Sequence, residues 1–453
     1  MNAITMNGRI AMTGASVTEL EQQTIRRVYW RLIPILFVMM FFNYLDRINL
    51  GYAGLTMNKD LGLSPAIFGF AASIFFLGYM VLEVPSNLML HWLGARIWLA
   101  RILITWGLVA ALTAFVWNPL SLYVMRFGLG VAEAGFMPGV VLYLTYWFPA
   151  RYRARAVAGY IIAGSFSAVL GGPISTSIMT WFDGTAGLHG WQWMFLAEGV
   201  PTILFGLFTL YYLTDRPAKA SWLTKEQAAW LEGELAAERA EIEQQGQHRL
   251  IECVLDIRVW LLAALFGCAL VGIYGLLLWL PQIIKGMGNL SNIQVGFLSA
   301  IPPLLGVIGT IVVSRSSDKT GDRKFHLAAV YLLAAVAMLG SAYVASPVLA
   351  FVFLCIVGFS LNAGNPLFWS INASLLTGAA GAASIALVNT LAQFGGLIGP
   401  WCIGLIKDST GSFSWALVGI AGFLLVASAI AATMRVKPRE TELTGAIPSS
   451  VAH

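Results

Sequence analysis

Asp46, Arg47, Glu83, Arg126 and Glu133 carry full charges inside long apolar stretches of a 453-residue chain. A charge at the middle of a membrane helix costs roughly 2.5–3.5 kcal/mol, so each of these side chains needs a partner, water or a task. A carboxylate at that depth can take up and release a proton, and a guanidinium can hold an anion through its planar fork of donors. Their depths follow from the rise of a helix, 1.5 Å per residue. Asp46 lies about 24 Å beyond the start of the first apolar window. In the fourth window, read from its opposite end, Arg126 is about 9 Å inside and Glu133 about 20 Å inside, near the midplane. Asp46 and Arg126 therefore share a level, which predicts an ion pair between them. Arg126 and Glu133 share a helix face but stand ~10 Å apart along the axis, too far to pair, and the partner of Glu133 stays open. Competing readings are a snorkelling Arg126, a structural Glu83 beside Pro85 and a self-compensating Asp46-Arg47 dipeptide. Glu198, near a window's end, reads as interfacial.

The elements that hold these residues follow from composition. Hydrophobic residues make up 58% of the chain and charged ones 11%, with a mean hydropathy of +0.76. A soluble protein would be about a quarter charged, so the main solvent of this chain is lipid. Apolar windows recur at 30–54, 66–90, 97–117, 120–148, 156–182 and 193–214, and again at 259–285, 293–314, 326–345, 347–376, 384–406 and 412–434. They are long and uninterrupted, which excludes a barrel of short alternating strands and predicts an all-α polytopic membrane protein with twelve transmembrane helices. Of the 27 Lys and Arg, 22 fall on one side, three (Lys59, Lys285, Lys407) on the other, and Arg47 and Arg126 within helices. By the positive-inside rule both termini are cytoplasmic. The basic balance thus reports orientation in a cell membrane, inner membrane for a bacterium, and not nucleic-acid binding. The chain divides into a cytoplasmic tail (1–29), a six-helix bundle (30–214), a cytoplasmic linker (215–258), a second bundle (259–434) and a cytoplasmic tail (435–453). Within the linker, Thr224 and Gln227 form a candidate capping box ahead of an exposed, amphipathic helix from Glu226 to Glu243. Cys253, Cys268, Cys355 and Cys402 show neither a disulfide framework nor metal-ligand spacing.

A shift of about 227 residues brings the halves into partial register: Gly94 and Arg96 fall on Gly321 and Arg323, Gly172-Pro173 on Gly399-Pro400, and Pro138 approaches Pro366. Two parallel six-helix repeats follow, an architecture whose substrate site lies between the halves near the midplane. Asp46, Arg126 and Glu133 have only neutral counterparts in the second half, whose interior offers Tyr274, Trp279, Asn362, Asn365, Trp369, Ser370, Asn372, Asn389 and Gln393 instead. No Ser/His, metal or glutamate-dyad constellation appears at membrane depth, so the sequence does not read as an enzyme.

Several motifs carry a resemblance: Asn43-Tyr44-Leu45-Asp46-Arg47-Ile48-Asn49-Leu50, Glu83-Val84-Pro85-Ser86-Asn87, Gly94-Ala95-Arg96, Glu133-Ala134-Gly135-Phe136-Met137-Pro138-Gly139 and Tyr146-Trp147-Phe148-Pro149. Over roughly residues 30 to 435 the chain resembles the major facilitator superfamily, and within it the anion:cation symporter family of tartrate, galactonate, phthalate and hydroxyphenylacetate permeases. The resemblance implies proton-driven uptake of a small organic anion by a monomer, with the proton as coupling ion, no other cofactor and no metal. It implies Asp46 and Glu133 as proton carriers and Arg47 and Arg126 as groups that bind the carboxylate or compensate those acids. Tyr44, Tyr79, Ser165, Trp369, Ser370 and Gln393 match substrate-lining positions, and Glu83, Asp318 and Arg323 match gating or structural ones. The superfamily's acidic loop pattern survives from Asp318 to Lys324, whereas His91 stands where the first half would carry the acid. Proton-antiport export, Na⁺ coupling and a non-transporting membrane sensor are the alternatives. Trp369, Tyr79 and Tyr274 suit an aromatic carboxylate; two arginines suit a dicarboxylate or sugar acid.

Overall fold

The computed structural model describes residues 14–244, 256–375 and 378–434. Among these, twelve helical spans are long and apolar enough to cross a membrane. In the first half they are α1 (Glu19–Ala53), α2 (Pro65–Leu93), α3 (Ala95–Phe115), α4 (Pro119–Thr145), α5 (Ala150–Trp181) and α6 (Gly190–Tyr212). The second half has α7 (Ile257–Lys285), α8 (Asn292–Thr320), α9 (Lys324–Tyr343), α10 (Pro347–Ser374), α11 (Ser384–Thr410) and α12 (Ser414–Thr433).

Local signals set several starts and stops. Pro65 and Pro119 occupy the first positions of α2 and α4, behind Ser64 and Asn118, whose side chains accept hydrogen bonds from the Ile67 and Ser121 amides. α2 and α8 end at Gly94 (φ +89°) and Gly321 (φ +70°), partners at the 227-residue shift. The packing repeats as well: α1 lies on α5 as α7 lies on α11, α3 on α6 as α9 on α12, and α2 on α4 as α8 on α10.

The halves meet along α2 against α11 and α5 against α8. Near the side with few basic residues these contacts are made backbone to backbone. A Cβ on Gly69 would lie 2.6 Å from the Pro400 carbonyl oxygen, and one on its repeat partner Gly296 would lie 2.6 Å from that of Gly172. Only glycine permits so close an approach. Ser64 Oγ also donates to Asp408 (3.1 Å), and Asn58 to Gln282 (3.4 Å), across the same junction.

Two cytoplasmic segments pack against the first bundle. The helix of α1 begins at Gly14, well inside the expected tail, and Glu21 on it accepts from Tyr152 (2.6 Å) and pairs with Arg151 (2.6 Å). The linker helix runs Lys225–Gln244, and the Thr224–Gln227 box forms with both bonds at 3.2 Å. That helix is docked rather than solvated: Leu231 and Leu235 are buried, Glu238 holds Arg153 (2.7 Å), and Trp222 stacks on Trp147 with ring centroids 5.2 Å apart. Its apolar stripe has found the cytoplasmic ends of the first bundle.

Candidate functional site

Successive residues of a helix point about 100° apart, so Asp46 and Arg47 face different neighbours. Arg47, on α1, turns toward the junction of the halves. Its Nε donates to Glu133 Oε1 at 2.6 Å, its Nη2 makes an ion pair with the same oxygen, and its Nη1 donates to the Tyr274 hydroxyl at 3.2 Å. The rings of Tyr79, Phe75 and Tyr44 surround the guanidinium with centroids 5.2, 5.4 and 5.9 Å away. Cation–π attraction and the Glu133 carboxylate together offset the removal of this charge from water.

Glu133 reaches Arg47 because α4 is broken immediately after it. The first piece ends at Glu133, Ala134 leaves helical geometry, and Gly135 takes a left-handed conformation (φ +81°) before helix resumes at Phe136. A side chain at Gly135 would run into Ser86 of α2, whose hydroxyl is held by Trp98 Nε1 at 3.0 Å. Glu133 is fully buried, and its second oxygen, Oε2, has no hydrogen-bond partner among the described residues.

The expected Asp46–Arg126 ion pair is absent. Asp46 instead accepts from Trp106 Nε1 of α3 and from Asn49 Nδ2 (3.1 Å), while Arg126 acts on it only through space. Equal depth did not imply equal azimuth. Arg126 is 2% exposed, which excludes snorkelling. Its guanidinium lies 5.2 Å from the Phe75 ring centroid, and Nε and Nη1 lack hydrogen-bond partners among the described residues. Buried N–H donors of a cation left unpaired are costly unless an anion completes them.

Glu198 is also not interfacial. It is 2% exposed, about 12 Å into α6, and accepts from Asn49 Nδ2 (3.0 Å) and Ser175 Oγ (2.7 Å). Residue spacing hinted at this: Asn49 lies one turn beyond Asp46 on the same face. Tyr274 also had a signal, since it is the partner of Arg47 at a shift of 227. A residue that touches its own repeat partner must sit on the axis relating the halves.

The other expected lining residues make no hydrogen bond to Arg47 or Arg126 among the described residues, and their surroundings differ. Ser165 on α5 and Trp369 and Ser370 on α10 are half-buried, with Trp369 edge-on to Phe266 and Phe368. Gln393 on α11 is buried, and its Oε1 has no hydrogen-bond partner among the described residues.

Comparison with known proteins gives this geometry its family. The model of the Major Facilitator Superfamily matches residues 36–400 and 289–450. The chain belongs to the major facilitator superfamily. A relative from Agrobacterium vitis named "Putative tartrate transporter" is 44% identical over 95% of each chain. A "Quinolone resistance transporter" of Acinetobacter baumannii is 42% identical over 88% of this chain and 92% of that one. Among solved structures, an inward-facing, unoccupied bacterial homologue of the lysosomal transporter Spinster superposes with a TM-score of 0.75 at 15% identity, covering 89% of this chain and 96% of that one. The protein is a multi-pass transporter in the cell membrane, not an enzyme.

The cytoplasmic loops of the two halves differ. Asp318 and Arg323 in the second half approach to 4.0 Å. In the first half, where His91 replaces the acid, Asp215 from beyond α6 accepts from the Arg96 amide (2.9 Å) against Gly94. A carboxylate distant in sequence thus caps α3. Glu83, buried in α2, accepts from Asn389 and Thr390 of α11, both at 3.2 Å, and so ties the halves together.

Proposed function

We propose that this transporter is a proton-coupled symporter that takes up a small organic anion, a carboxylate of the tartrate or sugar-acid kind, by alternating access. The observation that carries the reading is Arg47, held on the axis between the halves by Glu133 from one and Tyr274 from the other. While Glu133 is ionised it occupies Arg47. A proton on Glu133 removes that competitor, and the guanidinium turns its donors to an incoming carboxylate. Arg126, with two buried donors that have no partner among the described residues, offers the second point of attachment. Proton and anion therefore favour one another's binding, and linkage makes the coupling reciprocal. A loaded, neutralised centre is also cheaper to close off than one with a net charge. Two guanidinium groups within a wall of tyrosines suit a hydroxylated acid with more than one anionic or polar group, and the tartrate name of the Agrobacterium vitis relative agrees.

Purified protein in liposomes with an inward proton gradient should accumulate labelled tartrate, and a protonophore should abolish the accumulation. Uptake indifferent to the protonophore would overturn proton symport. The quinolone-resistance relative favours a second reading, export by proton exchange. In the same liposomes that reading predicts depletion of preloaded acid against its gradient.

A further inference from the structure

We propose that Asp46 and Glu198 form a two-carboxylate site, joined through the Asn49 amide, in which the two acids share one proton. The site adds Glu198 to the coupling machinery and rests on the proton-symport reading above for its role in the transport cycle.

Asp46 and Glu198 are 1% and 2% exposed. One nitrogen, Asn49 Nδ2, donates to Asp46 Oδ1 at 3.1 Å and to Glu198 Oε2 at 3.0 Å. Their remaining oxygens are taken by Trp106 Nε1 and by Ser175 Oγ. Three helices of the first bundle, α1, α3 and α5, therefore supply the donors to an acid on α1 and an acid on α6, and every donor is neutral. Among the described residues neither acid makes an ion pair. Two like charges on a single amide, both removed from water, disfavour the doubly ionised state.

The same atoms can accommodate a proton. Ser175 Oγ can accept as well as donate, so a protonated Glu198 can reverse that bond. Asn49 Oδ1 is buried with no hydrogen-bond partner among the described residues, and rotation of the amide would bring this acceptor to a protonated carboxyl. An amide that donates to carboxylates in one state and accepts from a carboxylic acid in the other is suited to passing a proton between the acids.

The charged groups around the pair connect it to the anion site. Asp46 is the charged group acting on Glu198, and Tyr52 of α1 also feels Glu198. Asp46 in turn feels Glu133 and Arg126 of α4. The faces that α3 and α5 turn toward the pair contribute the neutral Trp106 and Ser175. Loss of the shared proton therefore increases the negative field at Arg126 and competes with a bound anion, while its gain weakens that field.

The test is an infrared pH titration of the protonated-carboxyl band in the full chain reconstituted in lipid, which needs no substrate. A neighbouring negative charge strengthens proton binding, so its removal must move a titration toward acid. The wild type should show a buried carboxyl band whose titration moves to lower pH by about one unit or more in Glu198→Gln. Asp46→Asn should move the remaining Glu198 band by the same amount, because pairwise coupling is reciprocal. Asn49→Ala keeps both acids and removes the bridge, and should alter the band even if one of the other variants fails to fold. Labelled tartrate uptake should follow, with its pH of half-maximal rate displaced to lower pH in Glu198→Gln. A band unchanged in both Glu198→Gln and Asn49→Ala would overturn the shared site, as would uptake that depends on Na⁺ and loses that dependence in Glu198→Gln. If the bands shift as expected but tartrate uptake ignores pH, the acid pair stands and the symport reading alone falls.

Discussion

At the scale of single residues, charge pairing in this transporter is set by direction more than by depth. Asp46 and Arg47 are adjacent, yet one looks into the first bundle at Trp106 and Asn49 while the other looks to the axis at Glu133 and Tyr274. The sequence made the charged residues conspicuous because lipid makes them expensive, but a linear depth estimate contains no azimuth, so it paired Asp46 with Arg126. The partner of Arg47 in the second half was within reach of the repeat arithmetic, since 227 residues separate Arg47 from Tyr274. Three outcomes belong here. Glu133→Gln should keep tartrate counterflow while losing gradient-driven accumulation, because Arg47 is then permanently released from its competitor; normal accumulation would remove Glu133 from the coupling. For Arg126→Ala, a hydrogen bond to a charged group contributes about 1.5–3 kcal/mol, so tartrate affinity measured by isothermal titration should fall roughly 10- to 100-fold. Tyr274→Phe deletes a single donor–acceptor contact to Arg47 and should weaken tartrate binding by about tenfold at most, with counterflow intact.

Helices and their interruptions decide where those side chains can go. The twelve spans were legible because an uninterrupted apolar run of membrane length has few other uses. Likewise the Thr224–Gln227 box announced the start of the linker helix, although nothing local revealed that Leu231 and Leu235 would be covered by the first bundle. The break in α4 was hidden inside a continuous apolar window: Gly135 and Gly139 permit close packing and local bending there, but nothing in the sequence places a break directly after Glu133. Yet the break is what frees Glu133 from the direction of a straight helix. A Gly135→Ala substitution confronts both a left-handed backbone, worth about 1–2 kcal/mol against a side chain, and overpacking on Ser86, worth about 1–3 kcal/mol. Thermal unfolding of the purified protein should fall by several degrees, and tartrate accumulation should fall with it. Measured in a Ser86→Gly background, which has its own cost from the lost Trp98 partner, the added cost of Gly135→Ala should fall by the packing share and keep the backbone share. Full stability in Gly135→Ala would show that α4 tolerates a straight path and that the break is not required.

For the molecule as a whole, duplication has built a closure with two equivalent halves. Gly69 of α2 meets Pro400 of α11, and the same contact recurs with Gly296 of α8 against Gly172 of α5. Both lie toward the side with few basic residues, which the positive-inside rule makes the outer face. Gly94 with Gly321 and Gly172 with Gly399 pointed to the repeat in the sequence; Gly69 and Gly296 were not among those matches, and only the folded chain shows that they form one seam. In an alternating-access cycle this seam must open, and a side chain on either glycine should hinder its closing. Overpacking of about 1–3 kcal/mol corresponds to a shift of roughly 5- to 150-fold toward the outward-open state. Ser299, one turn beyond Gly296 and buried, reports on the opening when changed to cysteine in a chain whose native cysteines are serine. A membrane-impermeant maleimide should then label Ser299→Cys at least several-fold faster when Gly296→Val is added. Because the two contacts are related by the repeat, Gly69→Val should speed labelling by a similar factor from the other side of the junction. Acceleration by one and not the other would mean the two contacts do not open together. No acceleration by either would mean that these glycines do not govern the outer closure.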